Sequence, residues 1–361
     1  MPALEAVLAG RDSALLPVPA SASDISGLRV GEQIDDDVAL VVTTSGTTGV
    51  PKGALLTAAA LTASASATHS RLGGPGGWLL ALPPYHIAGL QVLVRSLVAG
   101  TEPVELDVSA GFDTSQLSSA VERLGSGRRY ASLVAAQLAK ALTDPAASAA
   151  LAELDAVLIG GGPAPAPVLE SAAAAGIAVV RTYGMSETAG GCVYDGIPLG
   201  GVRLRVDVDG RIVIGGVTLA KGYRNPPDPD PFAERGWFRT DDIGALDDSG
   251  ELRVLGRADE AISTGGLTVL PQPVEAALRA HPAVVDCAVF GVVDDRLGQR
   301  VVAAVVVAEG CAAPTLEALR AQVASTLDVT AAPRELHVVD ALPVRGIGKV
   351  DRQALARRFG R

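Results

Sequence analysis

Lysine is scarce in this 361-residue chain: Lys52, Lys140, Lys221 and Lys349 are the only four among 30 basic residues, so the other 26 are arginine. Cysteine occurs three times, at Cys192, Cys287 and Cys311, far apart and odd in number. That spacing suits neither a disulfide framework nor a metal site and points to a reducing compartment, the cytoplasm. Positive charge is the minority sign, 30 basic against 40 acidic residues for a formal net charge of −10. A protein that grips nucleic acid or an anionic membrane surface presents a basic face, so the balance argues against both partners. It leaves room for a small anionic ligand, which needs only a locally positive site. A membrane-length apolar run is missing as well, because the uncharged stretch from Trp78 to Val94 holds Pro83, Pro84 and His86. Glu5 stands where a secretion signal carries positive charge. The expectation is a soluble protein with no integral membrane association.

What is present is a large apolar fraction, 48% against 19% charged residues, enough for a substantial core. The length suits two or three subdomains sharing a site. Val38–Thr43 reads as a buried strand, followed by a Gly/Ser/Thr loop and a helix starting near Thr57. Trp78–Leu82 reads as a strand and Leu90–Val98 as a helix. Ala156–Ile159 reads as a strand that stops at Gly160-Gly161-Gly162-Pro163, with a helix over 167–175 and a strand over 177–181 behind it. Strand, glycine turn, helix, strand is the pattern of a parallel α/β sheet with ligands at the carboxyl ends of its strands. Residues 200–255 change to β texture, with turns at Asp209–Gly210 and Asp248–Gly250, and read as a small barrel-like or meander unit. The last hundred residues have their own helix–strand alternation, which places a boundary near Asp259: a large α/β domain over 1–258 and a small α+β domain over 259–361.

The loop Thr43–Gly53, TTSGTTGVPKG, holds five hydroxyls, three glycines and a lysine directly after a strand. Such a loop wraps backbone N–H groups and hydroxyls around phosphate oxygens. It is not a Walker A loop, because Gly49 is followed by Val50-Pro51-Lys52-Gly53. Nor does the 160–163 turn satisfy the dinucleotide fingerprint.

TSGTTGVPKG resembles the phosphate-binding signature of the adenylate-forming enzymes, the superfamily of acyl-CoA synthetases, peptide-synthetase adenylation domains and luciferases. Four further segments resemble that family's motifs in the family's order. They are RTYGMSETAG at 181–190, GWFRTDDIG at 236–244, GRADEAISTGG at 256–266 and LPVRGIGKVDR at 342–352. Together they span roughly residues 37–355. The resemblance implies two half-reactions: a carboxylic acid is joined to AMP with loss of pyrophosphate, then the acyl group passes to a thiol, usually that of coenzyme A. ATP, Mg²⁺ and coenzyme A are the implied cofactors and co-substrates.

The same resemblance implies roles. Thr44, Ser45, Gly46, Thr47, Thr48, Gly49 and Lys52 would cradle ATP phosphates. Gly161 and Gly162 would line adenine and the acyl pocket, Tyr183 would stack on adenine, and Gly184, Met185 and Ser186 would line the nucleotide, with Gly184 and Ser186 also at the acid. Thr188 would reach the α-phosphate, and Glu187 would hold Mg²⁺, which takes a single carboxylate plus phosphate oxygens. Asp242 would hold the ribose hydroxyls, although Asp241 stands where the family has glycine and leaves open which acid does so. Arg257 would contact ribose or phosphate. Asp259 falls on the hinge about which the family's mobile small domain turns, and Gly265-Gly266 on the strand lining its coenzyme A tunnel. Lys349 would stabilise charge at the α-phosphate during adenylation.

PPYHIAGLQVLVRSL, residues 83–97, is the segment that would select the acid. His86, Gly89 and Arg95 have the spacing seen in o-succinylbenzoate–CoA ligases of menaquinone synthesis, and Gln91 lies among them. An arginine here suits pairing with the second carboxylate of that acid. A different aryl or short acyl acid, a carrier-protein thiol as acceptor, a non-catalytic acyl-adenylate binder, and assembly with like chains all stay open at this stage.

Overall fold

Val38–Thr44 is rich in β-branched residues and buried over Val38–Val42, and it pairs antiparallel with Lys52–Thr57. These elements come from a computed structural model that describes residues 1–19, 25–44, 52–345 and 349–360. Thr57 ends the second strand and starts the expected helix, Ala58–Arg71, by accepting a hydrogen bond from the Ala60 N–H at 3.0 Å through its own hydroxyl. The return strand Lys52–Thr57 is an addition to the sequence reading.

The chain divides into two units. The first comprises Met1–Arg205, Val213–Thr240 and Leu246–Leu252; the second comprises Val206–Ile212, Asp241–Ala245 and Arg253–Arg361. The division passes through a four-stranded meander whose strands, Val202–Val206, Arg211–Gly216, Trp237–Leu246 and Leu252–Arg257, lie in chain order.

A seven-stranded sheet organises the first unit. Its order is Val104–Glu105, Gly77–Leu80, Arg129–Val134, Ala156–Gly160, Val179–Met185, Gly190–Tyr194 and Ile197–Pro198. The first five strands pair in parallel and the last two antiparallel, so the expected βαβ reading holds up to Met185. Side chains alternate between faces. Leu79, Ala131, Leu133, Val157 and Ile159 pack on one face with Leu117, Leu138 and Leu151 of the covering helices. On the other, Trp78 and Tyr130 are register partners, and Leu80 lies opposite Ser132. That second face receives the side chain of Arg95, from the helix Ile87–Ala99.

The second unit is built on a long antiparallel pair, Val284–Asp294 and Gly298–Val307. Helices Pro271–Arg279 and Leu316–Ala324 contribute Val274, Leu278, Leu319 and Val323 to one core, while Arg352–Phe359 contributes Leu355 to another. Arg352 ties these elements together. It donates to Glu275 at 2.7 Å, to Glu260 at 2.9 Å and to the Val289 carbonyl at 3.1 Å. Glu275 is 2% exposed and also accepts the Val289 N–H. Removing the guanidinium strands a buried carboxylate, so Arg352→Ala should cost about 3 kcal/mol of unfolding free energy. A denaturant titration checks this, and a loss below about 1 kcal/mol would show that the pair carries no such weight. Among the described residues no helix is long and apolar enough to cross a membrane.

Candidate active site

The turn Ser186–Thr188 follows directly on the strand Val179–Met185, which carries Tyr183, Gly184 and Met185 to its end. Gly184 has to be glycine, because a Cβ there would lie 2.1 Å from the Gly190 carbonyl oxygen. Ser186, Glu187 and Thr188 are all buried. The Thr188 hydroxyl holds the turn closed, lying 2.7 Å from the Gly190 carbonyl and 3.1 Å from that of Met185 while accepting the Met185 N–H at 3.0 Å. Ala189 leaves the turn with φ +50°, a left-handed conformation that a side chain disfavours, and the turn is braced at that point. The fully buried Gln91 carboxamide donates to the Ala189 carbonyl at 2.7 Å and to that of Leu61 at 3.3 Å. The helix Ile87–Ala99 is thereby joined to the Glu187 turn.

Glu187 Oε1 accepts a hydrogen bond of 2.5 Å from the Tyr223 hydroxyl, and the Lys52 ammonium lies 5.4 Å over the same Tyr223 ring. Lys52 faces Thr44 across the hairpin. Ser45, Gly46, Thr47, Thr48 and Gly49 lie outside the described residues. Gly161 has φ +80° just beyond the strand Ala156–Gly160, and Gly162 beside it has open space on its Cβ side.

His86 is the N-terminal flanking residue of the helix Ile87–Ala99, its ring 4.7 Å from that of Tyr85. Two turns on, Arg95 is 3% exposed. Its guanidinium donates to Tyr194 Oη at 3.2 Å and to Ser132 Oγ at 3.4 Å, and lies 4.8 Å over the Trp78 ring. Tyr194 Oη shares a hydrogen bond with Thr68, and Trp78 Nε1 donates to His69 Nε2. No carboxylate is among the described partners of Arg95, and its Nε has no hydrogen-bond partner. Burial pulls the Arg95 pKa below its ordinary value, with Tyr194 opposing. Burial, and then the Arg95 charge, push the His69 pKa down as well, which agrees with its Nε2 acting as an acceptor. The cage is therefore a buried cation held by neutral groups. Sequence reasoning found Arg95 but not its partners Trp78, Ser132 and Tyr194, each of which meets it from a different strand of the sheet.

In the second unit Arg257 is gripped by Asp259 through two contacts of 2.8 Å, and it lies 3.4 Å from Asp242 and 3.7 Å from Asp241. Burial works against this guanidinium, but Asp259 first and then Asp242 and Asp241 outweigh it, and its pKa is raised. Asp241 is half exposed and accepts from Arg211 at 2.6 Å, whereas Asp242 is 8% exposed. Gly265 and Gly266, with φ +59° and +80°, form the two-residue turn between Ile262–Thr264 and Leu267–Val269, a geometry that demands glycine. Lys349 begins a two-residue strand paired with Val344–Arg345, and its side chain lies outside the described set. Among the described residues no cluster of three metal-ligating side chains occurs, and Glu187 stands as a single carboxylate in its turn.

Residues 9–224 match the AMP-binding enzyme family, and residues 273–349 match the AMP-binding enzyme C-terminal domain. A protein named probable 2-succinylbenzoate–CoA ligase, from Mycobacterium tuberculosis (strain CDC 1551 / Oshkosh), is 78% identical over 362 aligned positions, 99% of this chain and 94% of the relative. A 2-succinylbenzoate–CoA ligase of Geobacillus sp. (strain WCH70) is 36% identical over 344 positions, 89% of this chain and 69% of the relative. Among solved structures, o-succinylbenzoate CoA synthetase from Bacillus subtilis in complex with the acyl-adenylate intermediate OSB-AMP matches with a TM-score of 0.75 at 30% identity, over 88% of this chain and 69% of that one. The same enzyme in complex with ATP and magnesium ion also gives 0.75 at 30% identity, with 88% and 70% covered.

Proposed function

Because the chain belongs to the AMP-binding enzyme family, we propose that it is an ATP-dependent acid–thiol ligase that adenylates 2-succinylbenzoate and transfers the acyl group to coenzyme A in the cytoplasm. In the first half-reaction a carboxylate oxygen of the acid attacks the α-phosphorus of ATP, and the bond to pyrophosphate breaks. In the second, the thiol sulfur attacks the acyl carbon, loses its proton, and AMP leaves. The product, o-succinylbenzoyl-CoA, serves menaquinone biosynthesis.

Two anions must approach one another in the first step, so the site has to supply positive charge where the negative charge develops. Lys349 supplies it at the α-phosphate, and Lys52 with the 44–49 loop holds the distal phosphates. Mg²⁺, held by Glu187 and phosphate oxygens, neutralises the triphosphate when bound; a single buried carboxylate fits a cation that keeps most of its ligands as phosphate and water. Tyr183 stacks on adenine, with Gly161 and Gly162 alongside. Asp242 takes the ribose hydroxyls, since Asp241 is turned to Arg211. To touch the α-phosphate, Thr188 exchanges one of its bonds within the turn. His86 and Gln91 border the acid, Gly265 and Gly266 the thiol path. The domain boundary lies at Asp259, with the lysine loop on the small domain over 259–361.

The observation that carries the choice of acid is Arg95, a buried cation whose described partners are all neutral. An acid with a second carboxylate supplies the missing counter-charge. ATP–pyrophosphate exchange across a panel of acids tests the reading. Exchange should be strongest with 2-succinylbenzoate, whereas exchange with a monocarboxylic aryl or fatty acid alone would replace that substrate.

A further inference from the structure

Residues 220–225 carry none of the groups assigned to the site by the motifs. Their backbone runs along the strand Lys52–Thr57. The Lys221 N–H donates to the Leu55 carbonyl at 2.9 Å, Leu55 N–H to Gly222 at 3.0 Å, and Arg224 N–H to Gly53 at 2.7 Å. At one end the Ala220 N–H donates to the Glu187 carbonyl at 2.9 Å, and at the other Asn225 Oδ1 accepts the Gly53 N–H at 3.0 Å. Lys221 Nζ bridges Asp35 and Asp37 at 2.7 and 2.8 Å, and Arg224 donates to the carbonyls of Gln33, Arg29 and Glu32. The segment is thus anchored from three directions, and Tyr223 projects from it. Its hydroxyl donates to Glu187 Oε1 at 2.5 Å, its ring carries the Lys52 ammonium, and Phe232 packs edge-on at 5.4 Å.

We propose that Tyr223 is the positioning residue for Glu187, fixing the rotation of the carboxylate that receives the nucleotide's divalent cation. The inference rests on the reading of Glu187 as that ligand. A phenol–carboxylate bond of this length belongs to the strong, charge-assisted class. Carboxylates that ligate metals are themselves held by outer hydrogen bonds, and removing such a partner typically lowers metal affinity 10- to 100-fold. Here the partner is rigid, because an aromatic ring has two rotatable bonds and this one is pinned by Phe232. One ring also sets the spacing between the Lys52 ammonium and the Glu187 carboxylate, the groups that would meet the phosphates and their cation.

The test uses Mn²⁺ as a spin probe, titrated into the full-length enzyme with a non-hydrolysable α,β-methylene ATP analogue. Tyr223→Phe should weaken Mn²⁺ binding roughly 10-fold, with binding of the analogue in the absence of metal unchanged and a cooperative thermal melt retained. In a Glu187→Gln background the same change should have no further effect. A loss in Glu187→Gln with none in Tyr223→Phe overturns the inference, as does an equal loss from Tyr223→Phe in both backgrounds. Unchanged Mn²⁺ affinity in Glu187→Gln removes the ligand reading, and the role of Tyr223 falls with it.

Discussion

Lys349→Ala is expected to abolish most acyl-adenylate formation while leaving thioester formation from supplied acyl-adenylate near its original rate. Removing one group that meets developing charge in a water-poor site typically costs about 100- to 1,000-fold in rate, and a full positive charge at the α-phosphate belongs at the upper end of that range. In the second half-reaction the carboxyl group is already activated as a mixed anhydride and the leaving group is AMP, so the α-phosphate no longer changes coordination. We propose that the small domain turns about Asp259 between two poses and presents a different face at that stage, with Gly265-Gly266 along the thiol path. Single-turnover measurement of each half-reaction, with synthetic o-succinylbenzoyl-AMP for the second, checks the separation. An equal fall in both removes the two-pose scheme.

Replacing Arg95 should produce the largest effect on the acid. Its guanidinium is desolvated without an anion among its described partners, an arrangement that costs folding free energy in the unliganded protein. Arg95→Met keeps much of the volume and removes the charge. The folded protein should then be as stable as the parent or more so, while KM for 2-succinylbenzoate rises about 100-fold, equivalent to about 2.7 kcal/mol. KM for ATP, and for an acid lacking the second carboxylate, should stay within a few-fold. A structural arginine would give the opposite signature: a lower melting temperature and an unchanged ratio between the two acids. Thermal melts combined with acid kinetics separate the two.

Both predictions rest on residues visible as motif positions, and the strand–turn–helix frame around them was legible for a clear reason. Val38–Thr43 and Ala156–Ile159 are apolar runs too short for helices, and each is followed by a glycine-bearing loop. The helices near Thr57, over 90–98 and over 167–175 show in their composition and spacing, whereas Pro2–Leu8 and Pro145–Ala152 are too short to announce themselves. Strand Val179–Met185 runs four residues beyond its expected end because it changes partners, pairing antiparallel with Gly190–Tyr194 where the local text, TYGM, has no strand pattern of its own. The return strand Lys52–Thr57 escaped notice because six residues of mixed polarity carry no period until a partner is known. The same limit applies to the site. Tyr223 meets Glu187 across 36 positions, Tyr194 meets Arg95 across 99, and Arg211 meets Asp241 across 30. Long-range pairing leaves no local signature, so motif reading yields the groups expected to touch ligand and misses those that hold them in place.

The most direct test is a product balance on the purified enzyme with ATP, Mg²⁺, coenzyme A and 2-succinylbenzoate. AMP, pyrophosphate and o-succinylbenzoyl-CoA should appear in equimolar amounts, with AMP formation dependent on the acid. ADP and phosphate in place of AMP and pyrophosphate, or no thioester from this acid while another acid turns over, would contradict the account.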